Sequence, residues 1–141
     1  MTPASSMLGA VLALGLLHLI MVNALYFTRI PAMIRMKIST RAIAKPGARE
    51  TLPAWARNVA DNYNHLAEAP TVFYAVVIAL VLLGQADGVT AALAWAYVAL
   101  RYVHSLIQAT VNIVIVRFSV FVLSWLVLGV LIVRGLVRLY G

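Results

Sequence analysis

Two groups of polar residues in this otherwise apolar 141-residue chain have the types and spacing to do chemistry. Arg57, Asp61, Asn64, His65 and Glu68 share about 100° of arc when placed on a helix at 100° per residue. Arg101, His104, Ser105, Gln108 and Asn112 form a second stripe of similar width, with His104, Gln108 and Asn112 at four-residue intervals. His18 and Arg29, about three turns apart, share a further face. Guanidinium groups fork onto carboxylates, so facing stripes predict a polar pocket for a small anionic ligand, with Glu68 and the amides holding its amine and peptide groups. The same residues can instead close on one another, Glu68 pairing with Arg101 or Arg57, which sets helix register and catalyses nothing. The pattern alone leaves both readings open.

Other chemistries find less support. His65 and Glu68 at three-residue spacing, with His104 as a third donor, make an incomplete metal shell, because no second histidine–carboxylate pair completes it. No metal site is therefore expected. There is no glycine-rich phosphate loop, no G-x-S-x-G and no cysteine, which removes nucleotide, serine-hydrolase and protein-thiol mechanisms.

The elements that must position these residues are long apolar helices. Hydrophobic residues make up 64% of the chain, charged ones 11%, and mean hydropathy is +0.97, far beyond ordinary soluble usage. The runs predict an all-α, integral membrane four-helix bundle forming one domain over residues 1–141, with helices at about 6–30, 54–84, 90–116 and 118–139. The first run follows an N-terminus without Lys or Arg, unlike a secretory signal, so it is expected to remain as a span. Residues Arg35 to Pro53 form a basic loop with the turn formers Pro46-Gly47. Pro70 removes a backbone donor next to Glu68 and predicts a bend there. Ionisable groups within spans cost roughly 2.5–3.5 kcal/mol each, so the stripes should be paired or line a wet cavity.

Eleven Lys and Arg against four Asp and Glu give a net charge of +7. Their concentration in the first loop and at Arg117 predicts that loops one and three are cytoplasmic and both termini are outside, with Arg134 and Arg138 dissenting. The basic loop lacks interleaved aromatics, so no nucleic-acid partner is expected. The bilayer is.

The segment Asn64-His65-Leu66-Ala67-Glu68-Ala69-Pro70-Thr71-Val72-Phe73-Tyr74 resembles the bacterial branch of the MAPEG family, the membrane-associated proteins in eicosanoid and glutathione metabolism. Arg101-Tyr102-Val103-His104-Ser105-Leu106-Ile107, followed by Arg117-Phe118, is similar to the family's Arg-x-x-His helix and the basic residue opening its fourth helix. The resemblance spans nearly the whole chain. It implies a homotrimer in the bacterial inner membrane, with glutathione between neighbouring protomers near the cytoplasmic face and a small lipophilic substrate arriving from the bilayer. Arg117 is then the residue that stabilises the glutathione thiolate. Glu68 grips its amine, Arg29 and Arg57 hold its carboxylates, and Asn64, His65, Arg101, His104 and Gln108 complete the pocket. Two positions depart from eukaryotic members: His65 stands where they carry asparagine, and Gln108 falls near a ligand-contacting tyrosine. The expected activity is that of a glutathione transferase or peroxidase. The alternative is a non-catalytic scaffold or accessory subunit of a larger membrane complex.

Overall fold

The computed structural model describes every residue except Pro46 and Ala69, and omits the side chain of Arg49. The expected turn at Pro46-Gly47 thus lies partly outside the described residues. α1 runs Pro3–Arg35, started by Thr2, whose hydroxyl accepts from the Ser5 amide, and by a proline at the first helical position. At 1.5 Å per residue it is about 50 Å long, so it outruns a bilayer core of roughly 30 Å. Arg29 and Arg35 lie in its last two turns. The basic loop then folds back as a short α2, Thr40–Ile43, and a 3₁₀ turn, Ala48–Thr51. Ala32, Ile43, Leu52 and Ala56 form a small apolar cluster beneath it.

The second predicted helix is divided. α3, Ala54–Glu68, ends just before Pro70, and α4, Thr71–Leu82, resumes beyond it, as the missing donor of proline requires. α4 closes with Gly84 in the left-handed region (φ 68°), where the Gln85 amide reaches back to the Leu80 carbonyl. α5 spans Gly88–Ala109 and α6 spans Val114–Tyr140. α5 therefore stops earlier than the polar stripe predicted, and α6 begins earlier. Asn112 leaves the helix, adopts φ 49° and donates its amide to the Ile107 carbonyl, so it shapes the connecting turn and is not the last rung of the stripe.

The molecule is an integral membrane four-helix bundle, with α3 and α4 acting as one interrupted helix. Pro3–Arg35, Ala54–Leu82 and Val114–Tyr140 are long and apolar enough to cross a membrane. α5, the fourth helix, is long enough at about 33 Å, but carries its polar stripe inward against α1, α3 and α6. The core runs along Met7, Leu14, Phe73, Tyr97, Leu128 and Leu131, with the Phe73 and Tyr97 rings stacked at 4.4 Å. Outward residues such as Leu12 and Phe27 are more than 70% exposed, as a lipid-facing surface demands.

Asp87 fastens the end of the bundle remote from the basic loop. It caps α5 through the Thr90 amide at 2.7 Å, receives Arg134 at 2.7 Å, and also receives Arg138. Those contacts, the Thr90 amide first, hold its carboxyl well below the usual carboxylate range. A depressed value stabilises the fold above the unfolded value near pH ~3.9, and the contribution is lost as pH falls below it. Asp87→Asn is expected to lower the thermal midpoint at pH 7, with the gap to the parent narrowing below about pH 4. A gap that stays constant into acid would contradict this assignment.

Candidate functional site

The inner face of α5 presents Tyr97, Arg101, His104, Ser105 and Gln108, every one of them buried. Arg101 is fully buried, its guanidinium 5.9 Å from the centre of the Tyr97 ring and 5.6 Å from that of Phe121. None of its three nitrogens has a hydrogen-bond partner among the described residues. Ring faces attract a cation but do not replace the hydrogen bonds it has lost. Asn62, Ser105 and the Tyr97 hydroxyl are likewise buried without partners among the described residues.

One turn further along, His104 is held at both nitrogens. Nδ1 lies 3.1 Å from the Arg117 carbonyl and Nε2 3.0 Å from Gln108 Oε1. A ring with its proton on Nδ1 donates to that carbonyl and accepts at Nε2 from the Gln108 amide, once that amide is turned to present its NH₂. His65 on α3 stacks on His104 with centroids 5.2 Å apart, and Phe121 closes against both. These rings, with Arg117 and Val114, Ile115 and Phe118, line a cavity of about 540 Å³ that is open on one side. That volume lies within the ordinary range for small-ligand sites.

Arg117 lies in the first turn of α6. Its Nη1 donates to Asn112 Oδ1 at 2.6 Å, and the Asn112 amide donates to Asn58 Oδ1 at 3.1 Å. This chain of contacts ties α6 to α3 through the connecting turn, orienting the guanidinium beside the cavity. A helix N-terminus adds further positive potential there.

The sequence-predicted residues fall into three groups. His65, His104 and Arg117 meet at the main cavity, with Arg101 and Gln108 buried behind them. Arg29, Arg57 and Asn64 line a smaller cavity of about 150 Å³ between α1 and α3, which Asp61 joins. Arg57 also donates to the Glu50 carbonyl at 3.0 Å. Glu68 stands exposed, and the pairs of Glu68 with Arg101 or Arg57 that the closed-network alternative would have made do not form. The physical reason is its angle on α3: His65, at the edge of the polar stripe, meets α5, while Arg57, Asp61 and Asn64 border the small cavity toward α1 and Glu68 faces out of the protomer. Asn58 and Asn62, on the inner side of His65, were the polar residues the stripe concealed. Their signal is the four-residue step from Asn58 to Asn62 that continues to His65.

Cation excess characterises this end of the bundle. Among the described residues the ion pairs are those of Asp87 with Arg134 and Arg138, at the opposite end. Two guanidiniums and two imidazoles thus surround or back the cavity with no carboxylate bound to them, an arrangement that attracts an anion. No group of three or more histidines and carboxylates able to hold a metal gathers among the described residues. Compared with known proteins, the chain matches the model of the MAPEG family over residues 7–137. No curated protein and no solved structure matches it.

Proposed function

Because this chain belongs to the MAPEG family, we propose that it is a glutathione-dependent transferase or peroxidase acting on lipophilic substrates, assembled as a homotrimer. The observation that carries this reading is that Arg117 at the rim and Arg101 buried behind it, neither paired with a carboxylate among the described residues, stand beside a cavity lined otherwise by His65, His104 and the apolar Val114, Ile115, Phe118 and Phe121. Such a site fits an anionic thiol on one side and a bilayer-soluble electrophile on the other. Arg117 holds the thiol as thiolate, since a nearby cation and a helix N-terminus both favour the ionised form, which is the nucleophile. In transfer, sulfur bonds to the electrophilic carbon and the displaced group leaves with its electron pair. Val114, Ile115 and Phe118 keep water from that carbon. Arg29 and Arg57 suit the carboxylates of the tripeptide.

The outward polar face of α3 supports the assembly. Asp61, Asn64 and Glu68 are exposed in one protomer, on the polar half of a segment otherwise apolar enough to cross a membrane, and polar side chains on such a segment call for polar partners. A neighbouring protomer would cover them and let Glu68 meet the ligand's amine between subunits. The charge distribution supports an orientation with loops one and three in the cytoplasm, and the family resemblance is what suggests the bacterial inner membrane. Glu68→Ala is expected to change protomer stability by no more than about 0.5 kcal/mol and to abolish the rise in thermal midpoint that glutathione produces. A large loss of stability in the variant without ligand would instead reveal a structural carboxylate. Turnover is tested by glutathione consumption against an aryl chloride and a lipid hydroperoxide; inactivity on both, by a protein that binds glutathione, would remove the catalytic reading.

One observation favours the scaffold reading: both nitrogens of His104 are already engaged within the protomer, as a closed structural network requires. Under that reading glutathione leaves the midpoint unchanged.

A further inference from the structure

The end of the molecule remote from this cavity carries two basic side chains, Arg134 and Arg138, out of eleven Lys and Arg in the chain. They oppose the charge bias that orients the other spans, so orientation does not account for them. Both donate to Asp87 Oδ2. One carboxylate facing two guanidiniums leaves an uncompensated positive charge, with side chains still 31% and 38% exposed. Arg134 Nε is also buried with no hydrogen-bond partner among the described residues.

Directly below these arginines an apolar groove of about 660 Å³ opens between α5 and α6. Val89 and Leu93 form one wall, Trp125 and Val133 the other, and Gly129 leaves the floor free. From Trp125 to Arg138 the helix rises about 20 Å, one leaflet of a roughly 30 Å core together with the start of its headgroup layer. An apolar trough one leaflet deep, ending in a net cation at the membrane surface, is complementary to an amphiphile with an anionic head. We propose that this groove holds an acyl chain of an anionic phospholipid whose phosphate is bound by Arg134 and Arg138.

The test uses the intact protein with Trp55 and Trp95 replaced by Phe, reconstituted in phosphatidylcholine vesicles, so that fluorescence reports Trp125 alone. Acyl-brominated phosphatidylglycerol is expected to quench Trp125 at a several-fold lower mole fraction than acyl-brominated phosphatidylcholine. Arg134→Gln with Arg138→Gln should erase that preference. Because the double variant also unpairs Asp87, Gly129→Leu provides a second arm: a Cβ there meets nothing within 4 Å, so the side chain fills the groove without disturbing the backbone. It should erase the preference with both arginines in place. Equal quenching by the two lipids overturns the proposal. So does a Trp125 that no lipid quenches, which marks a surface covered by a second copy of the chain. Inorganic phosphate that cancels the preference, while Gly129→Leu does not, would assign the site to a free anion and overturn it as well.

Discussion

Arg117→Ala is expected to lower glutathione-dependent turnover by roughly 10²–10³-fold, the loss typical when one preorganised donor to a reacting anion is removed. The side chain lies at the cavity rim in the first turn of α6, aimed by Asn112, which is itself fixed by Asn58. Removing it takes away the cation that favours the thiolate, so the acidic limb of the rate profile should move toward the value of free thiol. The substitution also breaks a charge-assisted bond worth about 1.5–3 kcal/mol, so some stability is lost with it. Arg117→Lys separates the two effects, since it keeps the charge and loses the fork. Partial activity with an unshifted pH profile is the expected outcome for lysine. Full thiol-dependent activity in the alanine variant would remove Arg117 from the mechanism.

Arg101→Leu should make the ligand-free protein more stable while destroying the site. A fully buried guanidinium with no carboxylate and no hydrogen-bond partner among the described residues is a net cost that apolar packing relieves. Even a buried ion pair is often replaced by apolar side chains with a neutral effect or a gain of about 1–4 kcal/mol, and an unpaired guanidinium has no partner whose loss offsets that gain. The same change removes a cation behind the cavity and should weaken glutathione binding roughly 10- to 100-fold, the equivalent of one charged hydrogen bond. Opposite signs in stability and affinity are the signature of a group kept for function. Thermal unfolding with and without glutathione reads both at once. A destabilised variant that still binds would make Arg101 a structural residue.

Much of this was legible from the residues because bilayer physics leaves few choices. Twenty-residue apolar runs must be helices, and Pro70 must interrupt the one it occupies, as the gap between α3 and α4 confirms. The α5 stripe was equally readable: Arg101, His104, Ser105 and Gln108 all face inward, because that helix is enclosed by three others. The α3 stripe misled because this helix is covered on one side only, and periodicity gives relative angle without saying which side is inside. His65 lies at the seam, and so only it meets α5 while Glu68 turns away. The turn before α6 was hidden for another reason. Asn112 fits the helical spacing of the stripe, and only its left-handed backbone, favoured by an asparagine, takes it out. Arg134 and Arg138 stood only as exceptions to the charge bias, and their convergence on Asp87 depends on a tertiary contact between α5 and α6 that spacing cannot encode.

The most direct test of the central claim is a calorimetric titration of the purified, assembled protein with glutathione at pH 7 in two buffers of different ionisation enthalpy. A cavity that holds the thiolate at Arg117 predicts saturable binding with release of about one proton, because the thiol enters ionised. Arg117→Ala should bind without that release. No saturable heat up to millimolar glutathione from a protein shown to be folded and assembled, or binding with no proton released, would contradict the account.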